Sequence, residues 1–143
     1  GGQRIDKHYG EWLHIWNELT QTAGHQAGYA NLVGNVPRLT QPVSNGENTP
    51  DTILYIPMQF WFCRNPGLAL PLIALQYHEV VINIEFNRAA NCYIVGGTDQ
   101  SPIPSMLNPN LQNASLYVDY IYLDTDERRR FAQVSHEYLV EQL

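Results

Sequence analysis

The sequence is short of charge and of cysteine, and both shortages narrow the class of protein. Charged residues make up 15% of its 143 residues, below the roughly 25% that is usual for soluble domains. Because 44% of the residues are hydrophobic, the composition excludes an intrinsically disordered chain. The two cysteines, Cys63 and Cys92, are too few for a disulfide framework. We expect two free, mostly buried thiols.

Positive charge and long apolar runs are also scarce. Eight basic residues stand against fourteen acidic ones, which gives a net charge of −6. Direct nucleic-acid binding is not expected, because phosphate contacts need a basic face. No apolar run is long enough to predict a membrane span. The chain opens on Gly1-Gly2-Gln3 and stops at Leu143 within an apolar–polar stretch, so we expect an internal piece of a longer protein.

The histidines lack every common metal-site spacing. His8, His14 and His25 do not match the ligand spacing of a usual zinc site. His78 and His136 are each followed by Glu, but neither has the second His of a metalloprotease helix. We therefore expect no metal and no other cofactor.

Catalytic motifs are lacking as well. Nothing in the sequence places Cys63 beside His78 as a nucleophile and base. The glycine pair in residues 96–99 reads as a turn, because it lacks the lysine and the helix of a phosphate-binding loop. These absences predict that the protein is not an enzyme.

An amphipathic helix is predicted near the start of the chain. Trp12, Ile15, Trp16 and Leu19 follow i, i+3, i+4, i+7 spacing, which places them on one face of a helix over 11–19.

A second helix is predicted over 124–133. Asp124 is a suitable N-cap, and Glu127 stands three residues later, as in a capping box. Shorter helical segments are expected at 29–33 and near Pro71, since proline is favoured in a first helical turn.

The remaining pattern is mostly β. The clearest strand segments are rich in aromatic and β-branched residues; they are 53–62, 79–86 and 116–123. Weaker strand patterns lie at 3–8, 92–95 and 136–143.

Long connections and the absence of regular βαβ alternation decide the fold class. The connections, about 20–52 and 87–115, are largely polar and proline-containing, which is typical of surface loops. A doubly wound parallel sheet does not fit. We predict a mainly β fold, a jelly-roll β-sandwich with short helices in its connections, as a single domain over 1–143.

The basic cluster Arg128–Arg130 lies on the second predicted helix. Asp124 with Arg128, and Asp126 with Arg130, are i, i+4 pairs that would neutralise the helix surface. Contacts with a neighbouring subunit are the alternative for these arginines.

Asn113 begins an N-glycosylation sequon, Asn-Ala-Ser, which is usable only if the protein meets the glycosylation machinery.

Longer strings carry a family resemblance that covers nearly the whole chain. They are GGQRIDKHYGEWLHIWNEL (1–19), YIPMQFWFCRNPGLALPLIALQYHEV (55–80), VDYIYLD (118–124), ERRRFAQ (127–133) and HEYL (136–139). In these strings the chain resembles the major capsid proteins of the nucleocytoplasmic large DNA viruses, a group that includes iridoviruses, phycodnaviruses and giant viruses.

The resemblance implies a structural role in a virion. Family members carry two consecutive jelly rolls, and this chain looks like the middle and later part of the first. Three copies would form a pseudo-hexameric capsomer in an icosahedral shell, contacting neighbouring capsomers and minor capsid proteins. Assembly would take place in the host cytoplasm. The family supplies no catalytic residues. Core or inter-subunit packing is expected of Trp12, Trp16, Phe60, Trp61 and Phe62, and polar interface contacts of Arg128, Arg129 and Arg130.

Two other functions fit a jelly roll. One is a stand-alone carbohydrate- or receptor-binding module, which exposed aromatic residues would serve. The other is a cupin-like metal enzyme, which would need a His/Glu ligand set that His78-Glu79 alone does not supply.

Overall fold

Helices are the regular elements of the described part of the chain, which in this computed structural model comprises residues 2–43, 49–93 and 111–143. The α-helices there are α1 (Gly10–Thr20), α2 (Ala23–Val33), α3 (Pro37–Thr40) and α4 (Thr125–Gln133). Single 3₁₀ turns lie at Trp61–Cys63, Pro66–Leu68 and Ala89–Asn91.

Helix α1 confirms the amphipathic helix predicted over 11–19. Trp12 and Trp16 of the apolar stripe are half-buried, whereas Ile15 and Leu19 remain exposed. The helix ends where Gln21 turns extended and its N–H bonds the carbonyl of Asn17. The stripe is therefore only partly covered within this chain.

Helix α2 is longer than the single turn predicted over 29–33. It fills much of the connection that was expected to be a loop, and the apolar pattern missed it because its apolar residues do not gather on one face. Its three alanines favour the helix instead. Gly34 ends it in the left-handed conformation, at φ 81°.

Helix α4 confirms the predicted cap. The Asp124 carboxylate accepts a hydrogen bond from the Glu127 N–H at 2.8 Å. The Glu127 carboxylate accepts one from the Asp124 N–H at 3.3 Å. This reciprocal pair satisfies backbone donors that a helix N-terminus otherwise leaves unpaired.

The helix expected near Pro71 does not form. Residues 72–77 make turns, in which the Leu75 N–H bonds the Pro71 carbonyl at 3.1 Å and the His78 N–H bonds the Leu75 carbonyl at 2.8 Å. These hydrogen bonds are isolated, whereas a continuous helix needs an N–H to carbonyl bond at each successive residue.

The described parts of the predicted strand segments carry no regular structure, except that 53–62 ends in the 3₁₀ turn Trp61–Cys63. No β-ladder is formed among the described residues, so the jelly-roll sandwich stays a prediction. Part of the strand pattern at 92–95, and the turn at 96–99, lie outside the described residues.

Two compact units divide the chain. The first comprises Gly1–Glu79 and Asp124–Leu143, and the second Val80–Leu123. Within the described residues Trp61, 8% exposed, is the one large apolar residue that is buried. The centre of the first unit therefore lies around Trp61.

Candidate assembly surface

Ring contacts connect the aromatic side chains of three segments of the first unit. The Trp12 and Trp16 rings of α1 lie 5.8 Å apart between centroids, and His8 stacks on Phe60 at 4.3 Å. In order of contact the rings are Trp16, Trp12, His8, Phe60, Phe62, Trp61, Tyr138, His136 and Phe131. We call this set the ring series. It brings together all five aromatic residues that the sequence singled out.

Burial differs along the ring series. Trp61 is enclosed, with Phe62 edge-on at 5.5 Å and Tyr138 tilted against it at 5.5 Å. Trp12, Trp16, Phe60 and Phe62 are only half-buried and keep part of each ring open. Trp61 is thus a core residue of this unit, whereas the other four retain apolar surface that a partner can cover.

Arg64 joins the ring series to two other segments. Its guanidinium lies 3.9 Å from the centre of the Trp16 ring, a cation–π contact. It also donates to the Gln59 carbonyl at 3.3 Å and forms an ion pair with the Glu141 carboxylate. One side chain therefore connects α1, the 59–64 stretch and the last residues of the first unit.

Asp6 and His8 form a buried polar pair beside the ring series. His8 Nε2 lies 2.9 Å from Asp6 Oδ2, within ion-pair distance though without hydrogen-bond geometry, and both side chains are less than 10% exposed. The other Asp6 oxygen accepts from the N–H groups of Lys7 at 2.7 Å and Leu143 at 3.3 Å. Gln142 donates to the Ile5 carbonyl. These bonds hold residues 142–143 against 5–6.

The arginines of α4 do not pair as the i, i+4 spacing predicted. The Asp124 carboxylate caps the helix instead, and Asp126 lies 3.5 Å from Arg129, at i, i+3. Arg128 and Arg130 are exposed and have no ion-pair partner in the described part of the chain. Two of the three charges are therefore available to another molecule.

Exposed apolar side chains concentrate in the segments with strand patterns. Ile53 is 79% exposed in the first of them and Tyr122 is 91% exposed in the last. Others with more than a third of their surface exposed are Leu54, Tyr55, Ile56, Val80, Val81, Ile84, Phe86, Leu116, Tyr117, Val118, Tyr120 and Ile121. Because contiguous apolar patches on a monomer often mark contact sites, these segments are candidate contact surfaces.

An open groove of about 460 Å³ lies between α4 and the 71–77 turns. Phe131, Ala132 and Tyr138 line one side, and Leu75 and Tyr77 the other. The groove adds further apolar surface next to one end of the ring series.

The two thiols are free, as expected, but both cysteines are exposed rather than buried. Around Cys63 the neighbouring groups remove enough water from the sulfur to raise the thiol pKa, against the smaller opposing effects of the Phe60 backbone and Arg64. A raised pKa disfavours the nucleophilic thiolate. Cys63 makes no hydrogen bond to His78 either, so the structure brings no nucleophile and base together here.

Among the described residues, no three His, Cys, Asp or Glu side chains are grouped so that they would hold a metal ion. Asn113 of the sequon is exposed.

None of the helices in the described ranges has the length and apolar character needed to cross a membrane.

Sequence reasoning missed several members of this surface. In the sequence, Arg64 belongs only to a pattern that predicts a turn. His8 and His136 were considered only as metal ligands, and no partner ligands have the required spacing. Their contacts reach segments far away in the chain, for example 77 residues from Arg64 to Glu141. No local pattern predicts such contacts.

Comparison with known proteins gives one consistent result. The family profile described as "Major capsid protein N-terminus" matches residues 1–124. The chain is 64% identical over 143 residues to a "Major capsid protein" of Pyramimonas orientalis virus, covering 100% of this chain and 33% of that protein. Proteins of the same description match from Phaeocystis pouchetii virus, at 50% identity with 32% of the relative covered, and from Paramecium bursaria Chlorella virus 1, at 43% with 30% covered.

In each case all of this chain aligns. The chain spans about a third of the length of these relatives. No solved structure matches it.

Proposed function

Because the chain belongs to the family of viral major capsid proteins, whose N-terminal profile it matches, we propose that it is part of a capsid subunit and has a structural role in the virion. The match over residues 1–124 carries this proposal. The family itself was recognised from the sequence strings, and that recognition is confirmed.

The proposed architecture is the first of two jelly rolls. In it the segments 53–62, 79–86 and 116–123 are strands that pair in the complete subunit. The apolar exposure of these segments supports this, since unpaired backbone and apolar side chains at a sheet edge favour association with further strands. The helices α1, α2 and α4 lie in connections of the sandwich.

Three such subunits form the proposed capsomer, with a pseudo-hexameric outline, and capsomers tile an icosahedral shell. Obligate interfaces commonly bury upwards of about 2,000 Å² and are apolar. The half-buried rings of the ring series and the groove beside α4 are the surfaces of the first unit that suit this role. Neighbouring capsomers and minor capsid proteins are the further partners. We further propose that the capsid assembles in the host cytoplasm. The proposal includes no enzymatic activity and no cofactor.

The native mass of the complete subunit tests this proposal. Light scattering and native mass spectrometry on the full-length protein, released gently from virions, should give a stable trimer. A monomer that stays folded at working concentration would refute the capsomer and favour a stand-alone binding module. Absence of the protein from purified virions would refute the structural role itself.

The α4 arginines provide a prediction about assembly. Replacing Arg128, Arg129 and Arg130 by Ala in the full-length protein should lower trimer yield more than it lowers the unfolding temperature. The reason is that two of these charges have no partner within the described chain, and rim charges change association more than folding. Size-exclusion chromatography and thermal unfolding measure the two effects.

A matched variant removes the same charge elsewhere. Arg4, Arg38 and Arg88 are also solvent-exposed, and their replacement by Ala should leave the trimer intact. Equal losses of stability and of assembly in the α4 variant would contradict an interface role.

A further inference from the structure

A pocket of about 410 Å³ lies between α1 and α2, and the ring series does not line it. His14, Asn17 and Glu18 of α1 form one wall, and Gln26 and Tyr29 of α2 the other. The pocket lies within the first unit.

Asn17 is the unusual residue of this pocket. It is 4% exposed, and its side-chain oxygen Oδ1 is closed to water and has no hydrogen-bond donor. Buried polar atoms in folded proteins nearly always have a partner, so a lone buried acceptor needs an explanation.

The orientation of the Asn17 amide follows from its neighbour. Gln26 Nε2 donates to the backbone carbonyl of Asn17 at 3.4 Å, which fixes Gln26 Oε1 as the acceptor of the pair. Asn17 Nδ2 donates to that oxygen at 2.9 Å. Turning the Asn17 amide over would place two acceptors against each other. The unpaired side-chain atom of Asn17 is therefore an acceptor, and its missing partner is a donor.

The charge of the residues that line the pocket indicates that the donor is a cation. Glu18 is exposed at the pocket and has no ion-pair partner among the residues that the structure describes, and neither Lys nor Arg lines the pocket. Tyr29 adds an aromatic wall, which also favours cations. We propose that this pocket binds a guanidinium or ammonium group, which donates N–H bonds to Asn17 Oδ1 and pairs with the Glu18 carboxylate.

Two sources can provide this group. One is an Arg or Lys side chain of another protein chain, and the other is a free organic cation. In either case the side chains around Asn17 Oδ1 must move slightly to admit the donor, because this oxygen is closed to water in the unbound chain. The proposal does not depend on the capsid role.

Amide NMR on the 143-residue chain tests the proposal. Titration with ethylguanidinium should give saturable shifts of the Asn17 and Gln26 side-chain amides. Tetramethylammonium carries the same charge without an N–H donor and should bind more weakly. An acetylated Gly-Arg-Gly tripeptide distinguishes the sources: binding at least as tight as ethylguanidinium assigns the pocket to a protein side chain. Exclusion of the tripeptide assigns it to a small cation.

Two charge-matched variants complete the test. Glu18→Gln should weaken ethylguanidinium binding about two- to fivefold, the range of an exposed ion pair. Glu11→Gln removes the same charge from α1 at a residue that does not line the pocket, and it should leave binding unchanged. Shifts that do not saturate, equal responses to the two cations, or equal effects of the two variants would each overturn the proposal.

Discussion

At the scale of single residues, the ion pair of Arg64 can be separated from its other contacts. Arg64→Ala removes the cation–π contact with Trp16, the hydrogen bond to the Gln59 carbonyl and the ion pair with Glu141. We expect it to lower the free energy of unfolding by about 1–2 kcal/mol. Glu141→Gln removes only the ion pair, in which Glu141 is 64% exposed, and should cost less than about 1 kcal/mol. Urea denaturation measures both. Equal losses would show that the Trp16 contact contributes nothing.

Cys63 is a residue whose titration the surrounding structure shifts. Because burial of its sulfur raises the thiol pKa, the folded chain holds this proton more tightly than the unfolded chain. The associated stability is present below the unfolded pKa and is lost as the pH rises through the folded one. In a Cys92→Ser background, the rate of alkylation by iodoacetamide should rise with pH at a higher midpoint in the folded chain than in urea. Coinciding midpoints would contradict this.

At the scale of elements, Gly34 determines where α2 ends. Its φ of 81° is unfavourable for other residues, and a Cβ there would lie 2.8 Å from Leu54 Cδ2. Gly34→Ala should therefore lower the free energy of unfolding by about 1–3 kcal/mol. Gly28→Ala is the matched control, because a Cβ at this position in α2 meets nothing within 4 Å. It should raise stability by about 0.5–1 kcal/mol. Thermal unfolding of both variants checks the opposite signs.

The elements also show what the sequence could predict. The α4 cap depends on Asp124 and Glu127, three residues apart, so a local pattern was sufficient. The predicted i, i+4 ion pairs of α4 were wrong: Asp124 caps the helix instead of pairing with Arg128, and Asp126 lies beside Arg129 instead of Arg130. Most of helix α2 was not predicted, because its apolar residues form no stripe along one face. The jelly roll rests on strand patterns whose pairing partners are distant in sequence, and it stays a prediction.

At the scale of the whole molecule, exposed apolar surface should make this chain self-associate. Val81 and Tyr122 are 61% and 91% exposed in segments with strand patterns. Replacing both by Asn should shift the sedimentation-velocity distribution towards the monomer, because it interrupts the exposed apolar surface of segments that have strand patterns. Leu19→Gln removes an exposed apolar residue of α1, 76% exposed, and should have a smaller effect. An equal effect would show that the strand segments are not special.

The ion pair between Arg64 and Glu141 has a consequence for synthesis. The two residues are 77 positions apart, and a ribosome adding about 5–20 residues per second needs about 4–15 seconds to span them. During that interval Glu141 and Tyr138 have not yet been synthesised, so Arg64 lacks its ion-pair partner and Trp61 lacks one of the rings that cover it. The nascent chain therefore displays its aromatic side chains while neighbouring ribosomes on the same message display theirs. Apolar side chains that are exposed in this way during synthesis favour aggregation, which chaperones prevent.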